Sequence, residues 1–366
     1  MKINVSFFAS RTISWYMARL FVVRSMAVLA ALVVVLMALD LLGESGDILA
    51  YHGNGDAQLW YYVSLRLPQL IQRFLPFSVL LGTLITLATM NQNSEIISMK
   101  AAGISAHQIL APLVVASLAI SGLSFWFNDH VVARATAVLT AWQNVDYGPI
   151  PKTHGLTPNV WVRAGEDLIH ADQVAVRGGH VSLQGVSFYD RTGDRLIAIA
   201  TAPRGDYQGG AWVLQKVQRF DVAAGKTSTI PSVTIGQGVT PDRFTLANVD
   251  GDGMSFRRLA ESISALRAAG RPTSSLETVL WHKISGALSA VLMPLLAGVS
   301  GFGLARSGAL FIRAVIGMAL GFTYFVADNF ALAMGNIGAY PPLLAAWAPF
   351  LLFLLIGEAV LIRTEE

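Results

Sequence analysis

The sequence predicts an α-helical membrane protein of six transmembrane helices in a three-plus-three arrangement, with an antiparallel, jelly-roll-like β domain inserted between the halves. Three observations carry that expectation. Apolar residues make up 54% of the chain and charged residues 13%, about half the charged share of a soluble domain. Six apolar runs approach the roughly 20 residues that a membrane-crossing helix needs. Between the third and fourth runs, residues 159 to 247 change to an alternating apolar–polar pattern.

The first run, about Leu20 to Leu42, reads "LFVVRSMAVLAALVVVLMALDLL". It is too long for the apolar core of a signal peptide, and no small-residue cleavage site follows, so it is expected to remain as a span. The second ends near Met90 and starts somewhere between Leu59 and Phe74. Its early part carries Arg66, Pro68, Arg73 and Pro76, which places that part at the membrane edge or against protein. The third run covers about Ile104 to Phe127, the fourth Trp281 to Leu304, the fifth Leu310 to Met334 and the sixth Leu343 to Ile362.

The distribution of basic residues orients these spans. Lys2, Arg11, Arg19 and Arg24 precede or enter the first; Lys100 lies between the second and third; Arg306 and Arg313 lie near the fourth-to-fifth connection; Arg363 follows the last. The short connections near residues 43 to 58 and 335 to 342 contain no Lys or Arg. Positive charge marks the cytoplasmic side, so both termini are expected there and the segment from 128 to 280 on the far side.

In that segment, "NVWVRAG", "HVSLQGVSFYD", "DRLIAIATA", "AWVLQKVQRFDV" and "TIPSVTIG" alternate, with "RTGD", "YQGG" and "AAGK" as turn signals. Short alternating strands with frequent turns predict an antiparallel sheet, sandwich-like or jelly-roll-like. Its apolar face could close on an ordinary core or accept acyl chains. Residues 255 to 269, "SFRRLAESISALRAA", repeat Phe256, Leu259, Ile263 and Leu266 at helical spacing. The layout is therefore residues 1–127 with three spans and a short helix at about 94–103, residues 128–280 with the β domain and its connecting amphipathic helix, and residues 281–366 with three more spans.

Several chemistries are excluded. The chain has no cysteine, so there is no disulfide framework, thiolate metal site or Cys nucleophile. "GKTS" at Gly225 to Ser228 resembles the tail of a phosphate-binding loop, but the position that needs the leading Gly is Phe220 and no helix follows. The chain is not expected to hydrolyse ATP. "GFGLARSG" at 301 to 308 breaks the dinucleotide pattern at Arg306, and its glycines suit close helix packing. No metal set, cofactor motif or catalytic triad is assignable among the scattered histidines. A net charge of +3 is too small to suggest nucleic acid.

Charged residues at membrane depth remain to be explained. Asp328 and Asn329 near the end of the fifth span are either functional or an interfacial pair. Arg66, Arg73, Arg134, His282 and Lys283 fall at the far-side ends of their spans, against the positive-inside trend. They point either to an anionic ligand such as a phosphorylated lipid headgroup, or to snorkelling and pairing with Asp129, Asp146 or Glu277. On the opposite side, "NQNSEIISMKAAGIS" (91 to 105) forms a short amphipathic helix ended by Gly103. It could dock into a cytoplasmic partner, its apolar face in a groove and its acid fixing register, or rest at the interface.

"SEIISMKAAGIS" resembles the "SELxAMRAAGxS" signature of the lipopolysaccharide-export permeases, the LptF/LptG family. "DLLGESGDI", "RLPQLIQRFLPFSVLLGTL", "FRRLAESISALRAAG", "WHKISGALSAVLMPLLA" and "YPPLLAAWAPFLLF" extend the resemblance through the chain, and "DLLGE" leans toward the LptG branch. The resemblance implies an inner-membrane subunit that pairs with its paralogue LptF on two copies of the ATPase LptB. It further implies that LptC contributes a helix and a periplasmic β-jellyroll. Lipopolysaccharide would enter from the outer leaflet between the first and fifth spans and be expelled into the jellyroll bridge. By the same resemblance, Ser94, Glu95, Met99 and Gly103 form the ATPase-coupling segment, with Glu95 the coupling acid. Arg134 falls near the family's basic residues at the end of the third span, which face lipid phosphates, and Lys283, Arg66 and Arg73 are the further substrate-binding candidates. The first span departs from the family pattern, with Asp40, Glu44 and Asp47 where some members carry lysines. A reading of another class also stands at this point: a membrane-anchored periplasmic sensor or scaffold that moves no substrate.

Overall fold

The computed structural model describes residues 10–149, 156–177, 180–192, 195–241, 244, 251–268, 270–301 and 309–365. Lys2, Arg306 and residues 302–308 of the "GFGLARSG" stretch lie outside the described residues. The chain divides into two compact units. One comprises residues 1–49, 54–138 and 251–366; the other comprises 50–53 and 139–250. The boundaries at 138/139 and 250/251 fall inside the segment between the third and fourth apolar runs and flank the alternating stretch.

Six helices among the described residues are long and apolar enough to cross a membrane. They are α1 (Arg11–Ala50), α2 (Asp56–Gln92), α4 (Ala106–Phe127), α7 (Ser274–Gly301), α8 (Ala309–Asn336) and α9 (Pro342–Glu365). The short α3 (Glu95–Ala101) joins α2 to α4. Beyond α4 the chain runs through a π-helical turn, Asn128–Val132, into α5 (Ala133–Gln143), and α6 (Phe256–Ala268) precedes α7. The uncertain start of the second span resolves as one continuous helix from Asp56, through Pro68 and Pro76.

A backbone carbonyl or hydroxyl in hydrocarbon needs an internal partner. The buried hydroxyls of α2 meet that need by bonding back one turn: Ser78 to Phe74 O, Thr83 to Val79 O and Thr86 to Gly82 O, at 2.7 to 2.8 Å. The helical core gathers Phe21, Leu80, Leu87, Ile109, Leu113, Leu292 and Leu296, all buried. Burial is uneven among the spans. In their most apolar windows α2 and α7 are 56% buried, whereas α1 and α8 are 28% buried. The latter two therefore turn most of their apolar surface outward. On α1 the buried stripe is a single row with a four-residue repeat: Met17, Phe21, Ser25, Leu29, Val33 and Met37. On α8 it is Gly321, Tyr324, Asp328, Ala331 and Gly335.

Where these stripes meet neighbours, glycine sets the distance. A Cβ on Gly82 would lie 2.6 Å from Ser25 Cα, one on Gly335 2.6 Å from Ala345 Cβ, and one on Gly321 would clash with Leu80. Small residues permit such close approach between membrane helices.

The second unit holds one six-stranded antiparallel sheet: β1 (Leu156–Ala164), β2 (Asp167–Arg177), β3 (His180–Thr192), β4 (Arg195–Gln208), β5 (Ala211–Asp221) and β6 (Lys226–Ile235). Each strand pairs with its sequence neighbour, so the described strands form a meander in the order β1 to β6. The turn signals act as expected. Gly209 and Gly210, both at positive φ, close the β4–β5 hairpin with two residues, the geometry that matches strand twist. The alternation buries Val160, Val162, Ile169, Ala171, Leu183, Val186, Trp212 and Leu214 on one face. The chain after β6 covers part of that face. Trp212 donates its indole N–H to Val239 O at 2.9 Å, and Phe244 packs edge-on against the Trp212 ring. A cavity of about 450 Å³ lies alongside, lined by Phe188, Ala200, Val233, Ile235, Asp190 and Arg219 among others.

Substituting Gly82→Ala should therefore force α1 off α2, because the new Cβ would meet the Ser25 hydroxyl first and, directly behind it, the Ser25 backbone, with Cα at 2.6 Å and N at 2.7 Å. Overpacking of this kind costs about 1–3 kcal/mol, read as a fall in the thermal unfolding temperature of the detergent-solubilised chain. Gly122→Ala, whose Cβ would meet open space, should leave it nearly unchanged.

Candidate functional site

Two regions of the helical unit gather the chemistry that the sequence singles out, and α2 connects them. At one end of α2 stands α3. Gly103 terminates it at φ 82. The Gly103 N–H bonds Lys100 O at 2.9 Å and the Ile104 N–H bonds Met99 O at 3.1 Å, the paired closure that a left-handed residue after a helix allows. Ser105 then caps α4, its hydroxyl accepting from the Gln108 N–H while the Gln108 side chain accepts from the Ser105 N–H. The two helices are thus joined by a defined corner.

Within α3 the side chains divide by face. Ile96 and Met99 are buried in the chain's own core. Met99 therefore anchors the helix from within the chain. The outward face carries Ser94, Ile97, Ser98 and Lys100. Ser94 sits before the first turn at φ 62 without capping it through its side chain. Glu95 is partly exposed; its Oε1 accepts from the Tyr16 hydroxyl of α1 and from the Asn93 amide, both at 3.3 Å.

Toward the other end of α2, a cavity of about 590 Å³ opens among α2, the π-helical turn, α5, α7 and α8. Phe74, Phe77, Met293, Phe322, Phe325 and Leu332 supply apolar wall; Arg73, His282 and Lys283 supply positive or ionisable groups. Gln69, Gln72, Asn128, Asn329 and Asn336 add amides, and Asp252 and Asp328 are the acids lining it. The π-helical turn contributes to this geometry. Its wider winding sends Asn128 into the cavity, where Oδ1 accepts from Lys283 Nζ at 3.4 Å. Asp129 accepts from the Phe256 N–H, holding the start of α6. π-helical turns recur at functional sites because they re-aim adjacent side chains.

The four substrate-binding candidates separate. Arg73 and Lys283 come together in the cavity lining. Arg73 is exposed, and no hydrogen bond or ion pair holds it among the described residues. Arg134 is exposed on α5 and does not line the cavity. Arg66 is taken by α1: Nη2 lies 2.8 Å from Asp40 Oδ1 and Nε 3.1 Å from Oδ2, while the Tyr62 hydroxyl donates to Oδ2 at 2.6 Å. Arg66 is thus a tie between α1 and α2. Of the three acids of the first span, Asp40 acquires a reason here, since it pairs with Arg66 inside the chain.

Two of the three acids considered as pairing partners, Glu277 and Asp129, are engaged elsewhere. Glu277 binds Arg267 at 2.6 Å, and Asp129 holds α6. Asp328 and Asn329 do not act as a unit. Asp328 is buried and meets His282 Nε2 at 3.1 Å, whereas Asn329 is exposed and donates to Phe325 O. Residue types alone did not disclose the His282–Asp328 pair, because its members stand 46 positions apart.

The family model described as lipopolysaccharide export system permease LptF/LptG matches residues 15–363 of this chain. The chain is also similar to the lipopolysaccharide export system permease protein LptG of Escherichia coli (strain K12), at 25% identity over 310 residues, 82% of this chain and 84% of the relative. The protein of the same name from Haemophilus influenzae (strain ATCC 51907 / DSM 11121 / KW20 / Rd) is 25% identical over 331 residues, 86% of this chain and 89% of the relative.

Truncating Asp40→Ala should leave Arg66 without its carboxylate. The pair is partly exposed, at 29% and 20% of side-chain surface, so the loss should lie between the exposed and buried extremes, about 1–2 kcal/mol. A double-mutant cycle with Arg66→Gln, followed by thermal unfolding in detergent, should show the second substitution costing less once Asp40 is gone.

Proposed function

The chain belongs to the LptF/LptG family of lipopolysaccharide export system permeases, and from that premise we propose that it lifts lipopolysaccharide from the outer leaflet of the inner membrane toward a periplasmic β-jellyroll bridge. The scaffold reading has no support in the family match. The similarity to LptG relatives favours that branch, with an LptF-type permease, an LptB-type ATPase dimer and LptC as partners. Both termini face the cytoplasm and the β domain faces the periplasm, following the positive-inside distribution of Lys and Arg.

The observation that carries this reading is the cavity of about 590 Å³ and its connection to α3. An apolar wall beside clustered donors suits an amphiphile with acyl chains and an anionic headgroup. Arg73 and Lys283 provide the charge for phosphate. α2 lines the cavity from Gln69 to Phe77 and ends at Gln92, just before Glu95. At 1.5 Å per residue, about 22 Å of continuous helix separates Phe77 from the α3 corner. A rigid rod of that length can pass a push from the ATPase at α3 to the cavity wall. The ATPase supplies hydrolysis, and this subunit supplies the path. The outward surfaces of α1 and α8, which are the least buried of the spans, suit contact with the paralogous permease and with lipid.

In this mechanism Glu95 belongs to the coupling contact and Met99 to the anchor that makes the contact stiff. Glu95→Ala should lower lipopolysaccharide export at least tenfold in reconstituted vesicles while ATP hydrolysis continues and the chain stays folded, since only exposed hydrogen bonds are lost. Unchanged assembly with the ATPase together with unchanged export would refute the assignment. Arg73→Gln and Lys283→Gln should each weaken binding of a phosphorylated lipid by about tenfold, as removal of one charged hydrogen bond of 1.5–3 kcal/mol implies.

A further inference from the structure

The cavity holds an acid where donors for an anion would be expected to stand alone. Among the side chains on its wall that can donate to phosphate are Arg73, Lys283 and His282. Another donor is the Tyr324 hydroxyl. It lines the same cavity and is buried, beside Ser289. One turn along α8 from Tyr324 lies Asp328, also buried, with Oδ2 3.1 Å from His282 Nε2. The other acid in the lining, Asp252, is exposed. Gly286 leaves room for the imidazole to lie along α7, since a Cβ there would sit 3.1 Å from both Cε1 and Nε2 of His282.

We propose that Asp328 is the release residue of this cavity: a resident counter-anion that engages His282 and repels a phosphorylated headgroup, keeping the hold on it weak. A transported ligand must bind well enough to enter and weakly enough to leave. A headgroup reaching His282 must compete with a carboxylate already hydrogen-bonded to it, and remains close to that like charge in the low-dielectric wall. The phosphate keeps Arg73, Lys283 and the Tyr324 hydroxyl as favourable partners. This rests on the lipid-cavity reading above.

Asp328→Asn isolates the charge, because the amide keeps the shape and an acceptor oxygen for the imidazole. The test titrates the detergent-solubilised full chain with short-chain phosphatidic acid, with zwitterionic phosphatidylcholine as the uncharged-head control. The expected result is about tenfold tighter binding of phosphatidic acid to Asp328→Asn, phosphatidylcholine unchanged, and inorganic phosphate unable to compete at the same concentration. Arg73→Gln, run in parallel, should weaken phosphatidic acid binding. If Arg73→Gln weakens binding but Asp328→Asn leaves it unchanged, Asp328 only joins α8 to α7 and the release role is overturned. Tightening of both lipids assigns the gain to a loosened wall and also overturns it. Competition by inorganic phosphate makes this a free-anion site and overturns the lipid form of the proposal. If neither substitution moves phosphatidic acid binding, the cavity reading and the release role fall together.

Discussion

Helices in a bilayer gain little from burying apolar surface against each other, because lipid tails are equally apolar. Close packing and polar ties must do what the hydrophobic effect does in water, and the helical unit is organised around that constraint. Gly82, Gly321 and Gly335 bring backbones together where a methyl group would intervene. Between those contacts stand a few polar links: Tyr16 to Glu95, Arg24 to Ile85 O, Asp40 to Tyr62 and Arg66, and His282 to Asp328. Each joins two elements that otherwise meet along a narrow stripe. Since unpaired charge is costly in hydrocarbon, these ties favour defined helix positions.

The same constraint explains how the functional candidates sort. A basic residue at a span end can serve the fold or a ligand, and the partner decides which. Arg66 meets a carboxylate of α1 in a forked contact and is spent on architecture. Arg73, seven residues later on the same helix, is exposed at the cavity without such a tie. Two arginines that look alike in sequence thus take different parts because of what α1 places opposite them.

The spans, the inserted antiparallel sheet and the α3 corner were legible because they rest on local signals: apolar length, period-two alternation and a glycine after a polar helix. The start of α2 was not, because its early charges look foreign to a membrane until Asp40 is seen beside Arg66. The burial of Met99 in the chain's own core was not legible for a related reason. Amphipathicity shows that a helix has an apolar face, but not whether that face meets its own core or another chain. The His282–Asp328 pair illustrates the same limit, since both residues stand out individually and only the packing of α7 against α8 brings them together.

The narrow stripe of α1 has a mechanical corollary. Ser25, pressed against Gly82, lies between the tie at Tyr16 and the tie at Asp40. Nine residues separate Tyr16 from Ser25 and fifteen separate Ser25 from Asp40, about 13 Å and 22 Å along a helix rising 1.5 Å per residue. A stiff rod bearing on Ser25 is a first-class lever with unequal arms. A displacement at the Glu95 end, if the fulcrum holds, arrives at Asp40 reversed in direction and magnified about 1.7-fold. The residue filling position 82 would then fix where the lever turns as well as how closely the two helices pack.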